Sequence, residues 1–240
     1  MEKQDYAVPA IVTAFILIII ITRSVDPKIP LGDAIVAIAT LAGAFIGAWG
    51  AFSLQSKKEA LKKTEEERAT ANKTILMLFD MRNRLTLYKR DVLNPAIETG
   101  VPWIAMKPTI QFQDEVKLPA EGLLFVLDTD NVQLYADLMI EVQRFNVVMQ
   151  MINKLSTILS EEFQPTMQSL GYTNGINGIY PVVVETEIGP HLASRMKGLT
   201  SDIISNVTDN IASIDCVYEK FRAAMVNNFP DKKILGVTFK

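Results

Sequence analysis

A mainly α chain is predicted: an N-terminal two-helix transmembrane hairpin, a helical stalk, and a cytoplasmic antiparallel helical bundle with at most a few short strands. Three observations predict it. Two uncharged, apolar stretches fall within the first 56 residues. A stretch rich in lysine and glutamate follows them. Beyond it, apolar residues recur every three or four positions in three long runs, the spacing that gives a helix one apolar face. The implied domains are 1–55 (hairpin, with spans 6–22 and 34–56), 56–77 (charged stalk) and 78–240 (helical domain).

The first span, YAVPAIVTAFILIIIIT, has 17 residues, or roughly 25 Å of helix, the short end of a bilayer crossing. The second, residues 34–56, has 23, or roughly 34 Å. A short polar connector, RSVDPKIPLGD, joins them, and Asp33 is placed to cap the second helix. A cleaved signal peptide is the rival for the first stretch. Its long apolar run, a single preceding Lys3 and the lack of a small-x-small site before Arg23 favour an uncleaved anchor. Lys57, Lys58, Lys62 and Lys63 crowd the end of the second span, whereas the connector holds Arg23 and Lys28. Basic flanks stay inside, so the expectation is a multi-pass inner-membrane protein with both termini cytoplasmic. Tyr6, Trp49, Lys57 and Lys58 are the expected anchors at the membrane interface.

The two spans differ in character. The first is bulky and β-branched, from Ile16 to Ile21. The second carries Ala39, Gly43, Gly47 and Ala51 at every fourth position, with Thr40, Ala44 and Ala48 beside them. Such rows form a flat strip that lets another helix approach closely. The strip can pack on the first span or join several chains into a homo-oligomer, and its composition leaves both open. Neither span holds an ionisable residue, which argues against a coupled transporter. A pore lined by Thr13, Thr40 and Ser53 of several copies stays open.

The stalk opens SKKEALKKTEEERATANK. Glu59–Lys63, Lys62–Glu66 and Lys63–Glu67 are opposite charges at helical spacing, as a solvated helix requires. Leu78, Met81, Leu85, Tyr88 and Val92 then define a packed face, with a helix end expected near Leu93 because the residue before Pro95 disfavours helix. Residues 96–128 read as irregular, with short strands expected at 109–113 or 123–127. Asp128 to Asn131 offers cap candidates for a helix with Tyr135, Leu138, Val142, Phe145, Met149 and Ile152 on one face. The loop 171–181, GYTNGINGIYP, is rich in turn signals, and PVVVETEI after it reads as a short strand. The last helix is the longest, with Leu192, Met196, Leu199, Ile203, Val207, Ile211, Ile214, Tyr218, Phe221 and Met225 on its face. Long helices with matching stripes imply an antiparallel bundle.

Chemistry is sparse. The chain lacks a Walker A pattern, GxSxG, HExxH and paired CxxC. His191, the only histidine, has no evident partner to make it a base or ligand. Thr186 stands where the Arg-x4-His signature of HEPN-type ribonucleases needs arginine. Glu161–Glu162 and Glu185–Glu187 read as solvated pairs. Cys216, the only cysteine, excludes an internal disulfide and reads as a small buried hydrophobe. Past the hairpin, acidic and basic residues nearly balance, against the basic stripe of a nucleic-acid binder. No catalytic residue, metal or cofactor is therefore expected, and the chain is not read as an enzyme.

The Gly/Ala-rich segment LAGAFIGAWGAFSLQ, the charged helix after it and the helix LYADLMIEVQRFNVVMQMINKLS resemble, in layout, a loose set of small bacterial two-transmembrane-helix proteins with a helical cytoplasmic domain. Some of these are membrane effectors in phage-defence systems, retrons included. The resemblance implies an effector whose cytoplasmic domain takes a protein partner or signal. Its hairpins would then cluster through Ala39, Gly43, Gly47 and Ala51 and perturb the lipid bilayer. The alternative is a passive anchor or scaffold that recruits a cytoplasmic enzyme or sensor.

Overall fold

The computed structural model describes residue 20 and residues 31–127, 131–172 and 181–237. The chain divides into two compact units, residues 1–64 and 65–240. Helix α1, Leu31–Tyr88, contributes its first part to one unit and the rest to the other.

In the first unit α1 meets its small polar residues internally. The Thr40 hydroxyl donates to the Val36 carbonyl at 2.8 Å, and the Gln55 amide donates to Glu59 at 2.9 Å. One expectation is overturned here. Among the described residues, no helix is long and apolar enough to cross a membrane, so the reading as a multi-pass inner-membrane protein with a transmembrane hairpin and cytoplasmic termini is corrected. Most positions between Ala39 and Ser53 are Ala, Gly, Thr or Ser, whose side chains supply little hydrocarbon to bury. The same helix then runs without a break into lysines and glutamates. Of the first expected span only Ile20 is described, Tyr6 and Thr13 lying outside the described residues, and of the connector only residues 31–33, which belong to α1, so that Asp33 stands inside the helix rather than before its first residue.

The second unit is a helical bundle. After α1 come a π-helical turn, Lys89–Leu93, then α2, Asn94–Glu98, α3, Pro102–Ala105, and a 3-10 turn, Ala120–Val126. Helix α4, Val132–Ile158, leads through a second π-helical turn, Leu159–Phe163, into α5, Gln164–Ser169. Helices α6, Pro181–Ile188, and α7, Pro190–Asn228, complete it. Helices α4 and α7 run antiparallel: Glu141 meets Ser213, while Glu162, beyond the α4 end, meets Arg195 at 2.8 Å. Helix α1 is likewise opposed to α7 and the tail after it. Arg82 donates to Asp215 at 2.8 Å, and Lys232 donates to Glu65 at 2.7 Å. That bond, and a second from Arg68, hold the Glu65 carboxyl below its ordinary value.

Burial on α1 starts at Ala71 and continues through Ile75, Leu78, Met81, Leu85 and Tyr88. Burial pushes the Tyr88 phenol well above its ordinary value. On α7 the buried seam is Ala193, Met196, Thr200, Ile203, Val207, Asn210, Ile214, Val217 and Phe221. Its steps of three and four alternate as in a coiled-coil seam. Leu192, Leu199 and Ile211 are only half-buried, because the seam accepts Thr200 and Asn210 in their stead. Cys216 is exposed, which corrects its reading as a buried hydrophobe; it falls one position before the seam residue Val217.

Helix α1 does not stop at Leu93. Asn94 donates its amide to the Lys89 carbonyl, five residues back, and the helix resumes through Pro95 to Glu98. Gln164 does the same to Leu159 ahead of Pro165. Proline lacks an N–H and clashes with the carbonyl four residues earlier; a wider turn moves that carbonyl aside.

No strand forms among the described residues. Residues 123–126 lie in the 3-10 turn, where Gly122 comes so close to α1 that an added Cβ would lie 2.8 Å from the Thr70 side chain. Residues 109–113 belong to a strap, 107–118, that pairs with side chains of α4 rather than with another strand. PVVVETEI is helix α6, since Pro181 opens it and Val184 is buried in the core; tertiary packing overrides weak β propensity. Of the 171–181 loop, residues 173–180 lie outside the described residues, as do residues 128–130 of the expected cap segment. Asn131 stands at the N-cap of α4 without a side-chain cap bond.

Candidate association surface and buried polar network

The first part of α1 places its residues on two unlike faces. Ala39, Gly43, Gly47 and Ala51 follow one another at every fourth position, and all are exposed. A Cβ added at Gly43 or Gly47 meets nothing within 4 Å among the described residues. Leu41, Phe45 and Trp49 follow the same spacing two residues out of step, so they lie roughly 200° around the helix. Phe52 continues that bulky stripe and is 74% exposed. Trp49, expected at a membrane interface, thus stands among aromatic neighbours on the bulky face, and Lys57 and Lys58 are exposed after it.

A second cluster lies between α4 and α7, at positions that apolar periodicity does not reveal. Glu141, only 3% exposed, shares Oε1 with the Ser213 hydroxyl in a very short contact. Arg144 reaches the same oxygen at 3.3 Å and Ser213 at 3.0 Å. Asn210, 1% exposed, donates to the Arg144 carbonyl at 3.3 Å. Glu141 Oε2 and Asn210 Oδ1 have no hydrogen-bond partner among the described residues. Buried polar atoms are ordinarily paired, so the network is incompletely satisfied. A buried charge network of this kind is a weak source of net stability.

Along α4 a third set faces the strap. Ser156 accepts from the Thr109 amide at 2.7 Å and donates to its carbonyl at 2.8 Å. Asn153 does the same for Phe112 at 2.9 and 2.8 Å, and Asn146 for Val116 at 3.0 and 2.8 Å. Its signal in the sequence is two asparagines one heptad apart and a serine, together with a segment bounded by Pro108 and Pro119.

His191 is exposed at the start of α7. Glu162 and Glu185 form ion pairs with Arg195 and Lys197, and Lys197 also sits 5.2 Å over the Trp103 ring. Among the described residues no group of three or more His, Cys, Asp or Glu could hold a metal. Fold and surfaces together define a helical bundle with an apolar helix segment that is exposed among the described residues. Comparison with family models, with curated proteins and with solved structures gives no match.

Proposed function

We propose that this chain is a helical assembly protein. Copies join through the part of α1 within residues 31–64, and the bundle receives a protein partner that governs the clustering. The observation that carries this is the uncovered stripe Leu41, Phe45, Trp49 and Phe52, opposite a flat strip on the same helix. Contiguous exposed apolar surface marks an interaction site. Flat and bulky faces are complementary, so the bulky face of one copy fits the strip of the next. Such a head-to-tail contact closes into a ring or continues as a filament.

Sedimentation velocity over a range of concentrations, in buffer without detergent that would coat the stripe, tests this. The expected result is a species of several chains for the native sequence and a smaller one for Gly43→Leu and Gly47→Leu, with helical circular dichroism unchanged. A single-chain mass throughout, or oligomers indifferent to both substitutions, would remove the basis for the proposal.

A further inference from the structure

The hydrogen bonds that hold the strap to α4 are almost wholly to its backbone. Three α4 side chains each take one N–H and one C=O of the same strap residue: Ser156 on Thr109, Asn153 on Phe112 and Asn146 on Val116. The side chain of Gln111 adds one bond to Thr157 at 3.2 Å. Of the strap's own side chains between residues 107 and 118, none is fully buried. Phe112, Val116 and Leu118 are half-buried against the core, and Ile110 is 92% exposed.

The spacing fits an open polypeptide. From residue 109 to 116 the strap passes the stretch of α4 between residues 156 and 146. That stretch is roughly 15 Å of helix, so the strap advances roughly 2 Å per residue, between helix and strand. Its direction is opposite to that of α4. Contacts to backbone N–H and C=O carry no information about side chains. They would hold any segment of this conformation, and the half-buried side chains of Phe112 and Val116, four apart and each on a residue whose backbone an asparagine holds, would supply the selectivity.

We infer that this face of α4 is a receptor for a non-helical peptide segment, and that residues 107–118 are its ligand in cis. The partner chemistry is an unstructured stretch with two apolar residues, one aromatic and one β-branched, four positions apart, and polar residues between them. Tethering gives the strap an effective concentration on the order of millimolar, so a peptide in trans binds well only when the strap is loosened. This reading is independent of association through α1.

The probe is a fluorescent peptide of residues 107–118, KPTIQFQDEVKL, followed by anisotropy with the full chain. Phe112→Ser with Val116→Ser loosens the strap and leaves α4 untouched. That variant is expected to bind the peptide saturably, and about tenfold more tightly than the native chain, whose own strap competes. Adding Asn146→Ala and Asn153→Ala should weaken binding again by at least about tenfold, because the two remove four hydrogen bonds and each is worth a few-fold to about tenfold. No binding by the loosened variant, or binding indifferent to the two asparagines, overturns the inference. Hydrogen exchange on the native chain checks it without substitution. The Thr109, Phe112 and Val116 amides should exchange faster than the buried middle of α4. Exchange of those amides only at the rate of global unfolding would also overturn it.

Discussion

Replacing Asn210 with leucine should make the bundle more stable, although it removes a buried hydrogen bond. Asn210 sits in the α7 seam at 1% exposure, with one 3.3 Å bond to the Arg144 carbonyl and an unpartnered Oδ1. The lost bond costs about 1 kcal/mol, and removing an unsatisfied buried oxygen returns about 1–3 kcal/mol. Burying the leucine side chain adds about 1.5–3 kcal/mol, and fitting its bulk against α4 takes back about 1–3 kcal/mol. The net expectation is about 1–2 kcal/mol of added stability, or a rise in Tm of roughly 2–8 °C for a unit of this size. Urea unfolding followed by circular dichroism reads this directly, and an unchanged slope shows that the folded state is as compact as before. A loss greater than about 1 kcal/mol would refute the reasoning, because Oδ1 would then have a partner worth more than the burial of leucine. The gain should come with looser definition. With no polar residue in the middle of the seam, shifted alignments of α7 against α4 are penalised less.

Other substitutions probe the remaining features. Phe221→Ala empties a fully buried position of α7 and should cost about 3–5 kcal/mol, seen as an earlier urea midpoint. Gly122→Ala places a methyl 2.8 Å from the Thr70 side chain, and a loss of about 1–3 kcal/mol in the same assay is expected; no change would mean the 3-10 turn does not press on α1. Tyr88 gives the bundle an alkaline limit. Its phenol is raised by burial above the ordinary 10.0, so the unfolded chain releases that proton first and stability falls as pH rises past that value. Tyr88→Phe should flatten this alkaline loss in unfolding experiments, and an equally steep loss in the variant would assign it to other groups.

The helical runs were legible because burial imposes a period. Leu138, Val142, Phe145, Met149 and Ile152 of α4 are buried as their spacing requires, and so are Leu78, Met81, Leu85 and Tyr88 of α1. Misreadings arose where packing overrode local preference. The β-branched run Val182–Val184 is helical, with Val184 buried in the core. The Asn-Pro pair at 94–95 ends nothing, because a wider turn accommodates the ring. The second uncharged stretch looked long enough for lipid by charge alone, but its Gly, Ala and Ser content gives a surface of low relief rather than a uniformly greasy one. The polar members of the bundle were invisible for a different reason. Glu141 and Asn210 occupy seam positions, and the strap ligands lie on a second face of α4. Only a partner segment far away in sequence gives these residues meaning.

The two wide turns have a consequence for how the chain tolerates length changes. Each holds one residue more than an ordinary helical turn, and the helix beyond keeps its bearing. Tyr88 is followed by Leu93 and Ala96 in the interior, and Ile158 by Phe163 and Met167, a step of five across each turn. These are places where the register of a long helix has been reset by a single residue, with the proline marking the spot. Removing one residue from either turn and replacing its proline with alanine should let the helix close up as a regular spiral. The same deletion in the middle of α7 would swing every later side chain out of the core.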